Sequence, residues 1–510
     1  MSCTELPSSS GSPARIYIVG AGFAGRMIAR EIRSKGTFGE VVAFLDDDRS
    51  KIGLKIDGVP VLGPIADVVR LIKTLPADEA LIAIPGASRE QLATIYRLLR
   101  KAEFAKIRIL PAISQIVEGD AHLIQTREID PQDLLGRNPV QISLKESLAY
   151  LRGKRVLVTG AGGSIGSELS RQLLSGGAER LYLFGHGENS IYEIDRELRL
   201  LQEEGVGEKA TIVPIIGELA DRDYMQFILK RLKADVVFHC AAYKHVPMVE
   251  ENPVQAVKNN IFGTLNLVHA AKQAEVKRFV LISTDKAVEP ECVYGMTKLI
   301  SEEIVLAAGL DAEHGGSDRR SGGEEYMVVR FGNVLGSRGS IMPLFRKQIM
   351  KGGPVTITDP NASRFFMTIP EAASLVLKAG GVGRNGTLYL LDMGEPILIR
   401  DLAEHMIRFY GYEPEREIPI VTIGMRPGEK LHEKLHADSE VPVPTEYPRI
   451  NRIENRSVDT GRLSALLSEL EPICFFHPER EDRYRNRRLL RSLLKEYVST
   501  VRIPAYEPEY

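Results

Sequence analysis

Residues 155–166 run Arg155-Val156-Leu157-Val158-Thr159-Gly160-Ala161-Gly162-Gly163-Ser164-Ile165-Gly166. A short apolar run leads into glycines at Gly160, Gly163 and Gly166, and a segment of helical period, Ser167 to Leu174, comes next. Continuous apolar runs are what strands buried on both faces require. Glycine lets the chain bend sharply and lets its amides approach a phosphate at the helix N-terminus. Further strand-like runs at Leu181 to Phe184, Thr211 to Ile215, Val236 to His239, Phe279 to Ser283 and Met327 to Phe331 alternate with helical stretches. This alternation predicts an α/β fold, a parallel sheet with helices on both faces.

A second glycine turn lies upstream. The run Arg15 to Val19 enters Gly20-Ala21-Gly22-Phe23-Ala24-Gly25, then a helical pattern, Arg26 to Ile32, and a strand, Val41 to Leu45, ending in Asp46-Asp47-Asp48. Strand, turn, helix, strand and acid come in the order of a Rossmann fingerprint, with the acid about 20 residues after the last glycine. A third strand, Ala80 to Ile84, and a helix from Ser88 complete a small α/β unit. Its glycines either hold a nucleotide or only permit tight strand–helix packing; no catalytic-looking cluster accompanies them.

These patterns divide the chain into a polar disordered leader (1–14), an N-terminal Rossmann-like domain with its connector (15–150), a catalytic domain (151–440) and a C-terminal extension (441–510). The connector, 111–150, has little periodicity, and Asp133 to Pro139 is rich in turn residues. A smaller substrate lobe is expected after Phe331. Residues 306–325, rich in glycine and charge, are expected to form a surface loop. Residues 479–498 are expected to form one charged helix, a solvated face or an oligomer contact.

A net charge of −2 gives no electrostatic case for nucleic acid or a membrane surface. The four cysteines, Cys3, Cys240, Cys292 and Cys474, show no metal-type spacing, which suits a reducing cytosol. No apolar run approaches the ~18 residues a membrane span needs. The expected location is the cytoplasm, with peripheral association at the inner membrane face as an extension of that reading.

The chemistry concentrates at Ser283-Thr284-Asp285-Lys286 and Tyr294-Gly295-Met296-Thr297-Lys298. The strand Phe279 to Ser283 delivers Thr284, Asp285 and Lys286 to the C-terminal edge of the sheet, where α/β folds bind ligands. Tyr294 and Lys298, four apart, share a helical face. A tyrosine is a poor base near neutrality unless a cation lowers its pKa, and Lys298 is the expected cation. His432-Glu433-Lys434-Leu435-His436 also matches HExxH, whose histidines would share one helical face around zinc. The charged surroundings and the lack of a third ligand argue against a metal there.

The Tyr–Lys pair and the TGxxGxxG loop resemble those of the extended short-chain dehydrogenase/reductase superfamily. More narrowly, the chain resembles the bacterial polysaccharide-biosynthesis nucleotide-sugar dehydratases, best known for UDP-N-acetylglucosamine 4,6-dehydration. The resemblance runs through VTGAGGSIGSEL (158–169), ENSIYEIDREL (188–198), HCAAYKHVPMVE (239–250), NNIFGTLN (259–266), STDKAV (283–288), VRFGNVLGSRGS (329–340), SRFFMT (363–368) and RPGEKLHEKL (426–435). It implies an NAD-dependent lyase acting on a UDP-sugar, working as a homo-oligomer. Gly160, Gly163, Ser164, Ile165, Gly166, Glu218, Ala241, Ala242, Lys244, Asn260, Tyr294 and Lys298 would hold the cofactor. Asn333, Arg364, Arg426 and Glu429 would hold the substrate's nucleotide. Tyr294 would take the C4 hydroxyl proton, Lys286 the C5 proton, Asp285 would protonate the departing C6 hydroxyl, and Thr284 would contact the C4 oxygen.

Three features depart from the family. Larger, membrane-anchored relatives often carry methionine at the position of Tyr294. Their leading transmembrane helices are not in this sequence, so the chain is either soluble as it stands or a shortened form. Gly185 stands where an acid usually holds the adenosine ribose, which leaves NADP as the rival to NAD. A nucleotide-sugar 4-epimerase, or a nucleotide- or redox-sensing protein without turnover, are the alternative functions.

Overall fold

A computed structural model describes residues 13–35, 39–110, 127–128, 148–207, 209–314, 324–504 and 507. The chain divides into two compact units, Met1–Gln141 and Ile142–Tyr510.

The first unit is built on β1 (Arg15–Val19), α1 (Phe23–Lys35), β2 (Glu40–Leu45), β3 (Glu79–Ile82), α2 (Arg89–Lys101), β4 (Lys106–Ile109) and β5 (Arg127–Glu128). The sheet order is β2-β1-β3-β4-β5, with only the β4–β5 pairing antiparallel. Tyr17, Ile18 and Val19 are wholly buried, as expected of a central parallel strand. Ser88 opens α2 with a reciprocal cap: its hydroxyl accepts from the Gln91 amide, and the Gln91 side chain accepts from the Ser88 amide. The turn-rich stretch Asp133 to Pro139 lies outside the described residues.

The second unit carries β6 (Arg155–Thr159), α3 (Ser164–Ser175), β7 (Arg180–Gly185), α4 (Glu188–Glu203), β8 (Thr211–Ile216), α5 (Arg222–Leu232), β9 (Val236–His239), α6 (Gly263–Gln273), β10 (Arg278–Thr284), α7 (Val293–His314), β11 (Glu325–Phe331) and α8 (Ile369–Val382). It continues through β12 (Thr387–Leu391), β13 (Val441–Pro444), β14 (Ile450–Glu454), α9 (Thr460–Cys474) and α10 (Arg487–Tyr497). Among the described residues these strands form one nine-stranded sheet in the order β8-β7-β6-β9-β10-β11-β12-β14-β13. Pairing is parallel from β8 to β12, and β14 and β13 add antiparallel. Strand order reverses between β6 and β9, the switch point at which such sheets bind ligands. Leu169 and Leu173 of α3, Ile194 of α4 and Val376 of α8 pack in one core; Leu229 of α5, Leu267 of α6 and Ile300 of α7 pack in another. The α/β class with helices on both faces is therefore as expected.

Three local expectations are corrected. Residues 441–510 are no separate extension: they supply β13 and β14, and Leu466, Leu470, Leu490 and Leu494 of α9 and α10 join a core shared with α7. The expected loop from 306 is helical as far as His314, because Leu306 and Ala308 are buried and packing continues α7 through Gly309; residues 315–323 lie outside the described residues. The expected helix 479–498 is two pieces, a 3-10 turn (Pro478–Arg483) and α10. Arg485 takes φ +60° between them, and Asn486 caps α10 by accepting from the Leu489 amide. Nor is α10 a solvated face: Arg491 is almost fully buried, paired with Glu250 and Glu507.

The small lobe after Phe331 consists of α-helices at Ile341–Met350 and Ile399–Phe409 with paired short strands, before and after the chain's return to the sheet through α8 and β12.

Candidate active site

The glycine loop sits at the switch point. Gly160 has φ +66°, and a Cβ there would lie 2.8 Å from the Cα and N of Ala241. A Cβ on Gly166 would overlap the Gly160 carbonyl oxygen. Glycine is thus required both for the bend and for α3 to approach β6, which leaves backbone amides as the lining of the turn. This cradle fits a dinucleotide pyrophosphate. Gly163 stands at the N-cap of α3, and Ser164 and Ile165 open the helix. Ala241 and Ala242 form the facing loop after β9, and its Tyr243 amide donates to Asn260 Oδ1 (2.8 Å). Asn260 is buried in a π turn (Lys258–Phe262) and its amide donates to Tyr243 O (3.0 Å) and Thr297 Oγ1 (2.9 Å). Asn260 therefore laces the cofactor-side loop to α7. Lys244 is next in the same loop, its pKa lowered by burial and by the charge of Lys286. Glu218 is exposed beyond the end of β8.

Sequence reasoning missed Arg338. Its amide donates to Ser164 Oγ (3.0 Å), its guanidinium to Gly162 O (3.0 Å), and it pairs with Glu193 at 2.9 Å. It stands 174 residues from Ser164 in sequence, so no local pattern could have announced it.

The strand end of β10 gathers the titratable groups. Asp285 is wholly buried. Its Oδ1 accepts from Thr284 Oγ1 (2.9 Å) and from Lys286 Nζ (3.0 Å), while Oδ2 is buried and accepts no hydrogen bond. Burial raises the Asp285 pKa, Lys286 opposes it and Glu433 adds to it. Burial also acts to lower the Lys286 pKa, but Asp285 and Glu433 outweigh it and the net shift is upward. This pair is not the surface ion pair that a loop after a strand could have given.

Tyr294 lies in the opening turn of α7, where the Val293 amide is fixed by donating to Glu250 Oε1 (2.8 Å). Burial pushes the Tyr294 phenol up to about 12, while Lys286 and the adjacent Thr284 side chain pull it back. Lys286, expected only as the C5 base, is thus the leading cation acting on Tyr294, where the sequence pointed to Lys298. Lys298 donates to Ile282 O (2.8 Å), and burial lowers it to about 8. One turn further along α7, Glu302 is held by Arg330 at 2.8 Å and Arg456 at 2.7 Å and accepts from Ser283 Oγ at 2.6 Å. Burial would raise Glu302, and the two arginines hold it at about 2.

The expected substrate residues separate. Asn333 Oδ1 accepts from Lys286 Nζ (3.1 Å), so it belongs with the cluster. Arg364 donates to the carbonyls of Ser363 (2.7 Å), Leu431 (3.0 Å) and Lys430 (2.7 Å), tying its strand to the 430–433 segment. Arg426 and Glu429 line an open cleft of about 740 Å³ with Lys430, His432 and Arg502, and none of Thr284, Asp285, Lys286 or Tyr294 lines it. The HExxH stretch is not helical; an isolated bridge at His432 and a bend at Leu435 and His436 carry it, and His432 Nδ1 lies 2.8 Å from Ser363 Oγ. Among the described residues, no group of three His, Cys, Asp or Glu could hold a metal ion. No helix among them is long and apolar enough to cross a membrane.

Sheet order, glycine cradle and the Tyr–Lys helix define the second unit as an extended short-chain dehydrogenase/reductase fold. The profile of the family described as "Polysaccharide biosynthesis protein" matches residues 156–455, and that described as "CoA-binding domain" matches residues 10–111. "Probable polysaccharide biosynthesis protein EpsC" of Bacillus subtilis is 42% identical over 86% of this chain and 71% of its own length. The Campylobacter jejuni "UDP-N-acetylglucosamine 4,6-dehydratase (inverting)" is 32% identical over 55% of this chain and 77% of its own. The X-ray structure of Pen from Bacillus thuringiensis aligns with TM-score 0.51 at 31% identity, covering 62% of this chain and 98% of that one. The chain belongs to the polysaccharide biosynthesis protein family.

Proposed function

We propose that this protein is a nucleotide-sugar 4,6-dehydratase, converting UDP-N-acetylglucosamine or a close UDP-N-acetylhexosamine to the 4-keto-6-deoxy sugar with NAD as its cofactor. The observation that carries the reading is the Asp285–Lys286 pair at one strand end beside Tyr294, with the Asp285 carboxyl wholly buried. C4 oxidation alone has no use for a second acid and base; loss of water across C5 and C6 needs both, adjacent to each other. The similarity to the Campylobacter dehydratase supports the same substrate class.

The glycine cradle, Lys298 and the 241–244 loop would hold the cofactor, which when bound would take up hydride from C4 and deliver it to C6. Tyr294, ionised, accepts the C4 hydroxyl proton. Lys286, neutral once its proton has passed to Asp285 across their 3.0 Å hydrogen bond, takes the C5 proton. Asp285, whose acid form burial favours, gives its proton to the C6 oxygen, which leaves as water. Lys286 then returns its proton to C5. Tyr294 then holds one proton too many and Asp285 one too few. Thr284, bonded to Asp285 and next to Tyr294, is the hydroxyl through which that proton returns.

Incubation with UDP-N-acetylglucosamine and NAD, followed by mass analysis, tests the reading. A product lighter by one water is expected. An isomer of unchanged mass would make the protein an epimerase, and cofactor binding without any product would make it a sensor.

A further inference from the structure

The HExxH stretch contributes no metal site to the proposed reaction, yet its glutamate points into the catalytic cluster. The Glu433 side chain is 3% exposed, with Oε1 3.5 Å from Lys286 Nζ and 4.0 Å from Arg364 Nε. Lys430 Nζ stands 4.0 Å from Oε2, which is buried and accepts no hydrogen bond. A carboxylate with an unused buried oxygen is costly unless something makes use of it. Among its cationic neighbours, Lys286, Arg364 and Lys430, Lys286 is the one whose charge changes during the proposed reaction.

We propose that Glu433 is a positioning residue for the elimination: its carboxylate stabilises the positive charge arriving on Lys286. The inference rests on the dehydratase reading. Before elimination Lys286 is a neutral amine, Asp285 a carboxylic acid and Glu433 a carboxylate. The C5–H bond breaks and its proton goes to Lys286 Nζ; its electron pair becomes the C5–C6 π bond. The C6–O bond breaks, and the oxygen leaves as water with the proton of Asp285. Ammonium and carboxylate then face each other across the 3.0 Å between Lys286 Nζ and Asp285 Oδ1. A fixed negative charge 3.5 Å from the nitrogen lowers the energy of that charge separation more than that of the neutral start. The same charge raises the Lys286 pKa, which strengthens the base.

The test is Glu433→Gln, of equal size and without charge, read by step. With the NAD-loaded protein and UDP-N-acetylglucosamine, C4 oxidation is followed by the near-ultraviolet absorbance of reduced nicotinamide and elimination by product mass. Elimination is expected to slow ~10²-fold with oxidation little changed, so that reduced nicotinamide accumulates. Substrate affinity by calorimetry should move less than about threefold. Glu433→Asp, which keeps the charge, should recover most of the rate. It also serves as the reporting variant if Glu433→Gln lowers the melting temperature. Elimination at the parental rate in Glu433→Gln, an equal loss of both steps, or no difference between the Asp and Gln variants would each overturn the proposal. Absence of any dehydrated product from the parent protein would instead reject the dehydratase reading itself.

Discussion

The two glycine loops of this chain solve the same packing problem, and the strand ends around them carry different side chains. Gly20 and Gly160 both take positive φ, +103° and +66°. A Cβ on Gly25 would overlap the Gly20 carbonyl oxygen, as one on Gly166 would overlap that of Gly160. The ends of the second strands differ. In the first unit Asp46 comes directly after β2, and its Oδ2 accepts from the Ala21 amide of the loop at 2.7 Å and pairs with Lys51 at 3.1 Å. In the second unit Gly185 ends β7 and offers no side chain at all. The later strand ends differ more: β3 leads into Ala83, Ile84 and Pro85, whereas β10 leads into Thr284, Asp285 and Lys286. One scaffold, used twice, carries titratable chemistry once. Function here belongs to the strand ends and not to the fold.

The sharpest way to break that contrast is Lys286→Ala. Dehydration should fall ~10³-fold or more, the range of a lost general base combined with an unpaired buried acid. Cofactor binding at the glycine loop, measured by calorimetry, should persist. Dehydration at the parental rate would remove Lys286 from the chemistry and with it the contrast between the units.

The paired glycine variants come next. Gly166→Ala drives a methyl into the Gly160 carbonyl and should lower cofactor affinity ~10²-fold, since a displacement of ~1 Å in a positioned site has that cost. Gly25→Ala makes the same collision in the first unit. It should cost about 1–3 kcal/mol of that unit's stability, seen in thermal unfolding, and leave turnover nearly unchanged. Equal losses of turnover in both variants would mean that the two loops are not separate in use.

Gly185→Asp asks whether the missing acid sets nucleotide preference. A carboxylate at the end of β7 should shift the ratio of NAD to NADP affinity ~10-fold towards NAD, by repelling a 2′-phosphate. Ile191 Cδ1, 3.0 Å from the new Cβ, must yield slightly. An unchanged ratio would show that the ribose end of the cofactor does not lie at Gly185.

Activity should rise with pH towards the Lys298 pKa. The working form, Tyr294 ionised with Lys298 cationic, holds one proton fewer than the form with both protonated. Because Lys298 titrates near 8 and Tyr294 near 12, that form gains population as pH rises through about 8. It then holds level until the next proton is lost. kcat/KM should therefore fall about tenfold per pH unit below 8 and be flat just above it. Lys298→Arg, which cannot lose its charge, should abolish the plateau, so that the rise continues above pH 8 towards the Tyr294 pKa of about 12.

The fold was legible because its signals are local. β1, β6 and β9 are continuous apolar runs next to glycine turns or strand-end motifs, and both units follow from them. The strand end proposed as catalytic was legible for the same reason, since Thr284 to Lys298 is one stretch of chain. Arg338 and Glu433 were not. Each reaches its partners from another part of the fold, and Glu433 lay inside a motif whose histidines drew attention to the wrong chemistry. The two-part C-terminal helix was missed because burial, not residue type, decides whether Arg487 and Arg491 face water or Glu507. The loop expected from 306 failed likewise: Gly309 argues for a break, and the buried Leu306 and Ala308 override it.

Asp46→Ala carries the smallest expected effect and bears on the first unit's half of the contrast. In a dinucleotide site of this kind the acid faces a ribose. Here the carboxylate is already engaged by the Ala21 amide, by Lys51 and by the Asp48 amide at 2.9 Å. Removing it leaves a partly buried amide and a lysine without that partner, which should cost about 1–2 kcal/mol. The loss should appear in the unfolding of the first unit, with hydrogen exchange at Ala21 speeding up and dehydration unaltered. If instead stability is unchanged and a nucleotide that bound the parent's first unit no longer binds, Asp46 is a ribose ligand after all, and the two loops differ in what they hold and not in whether they hold anything.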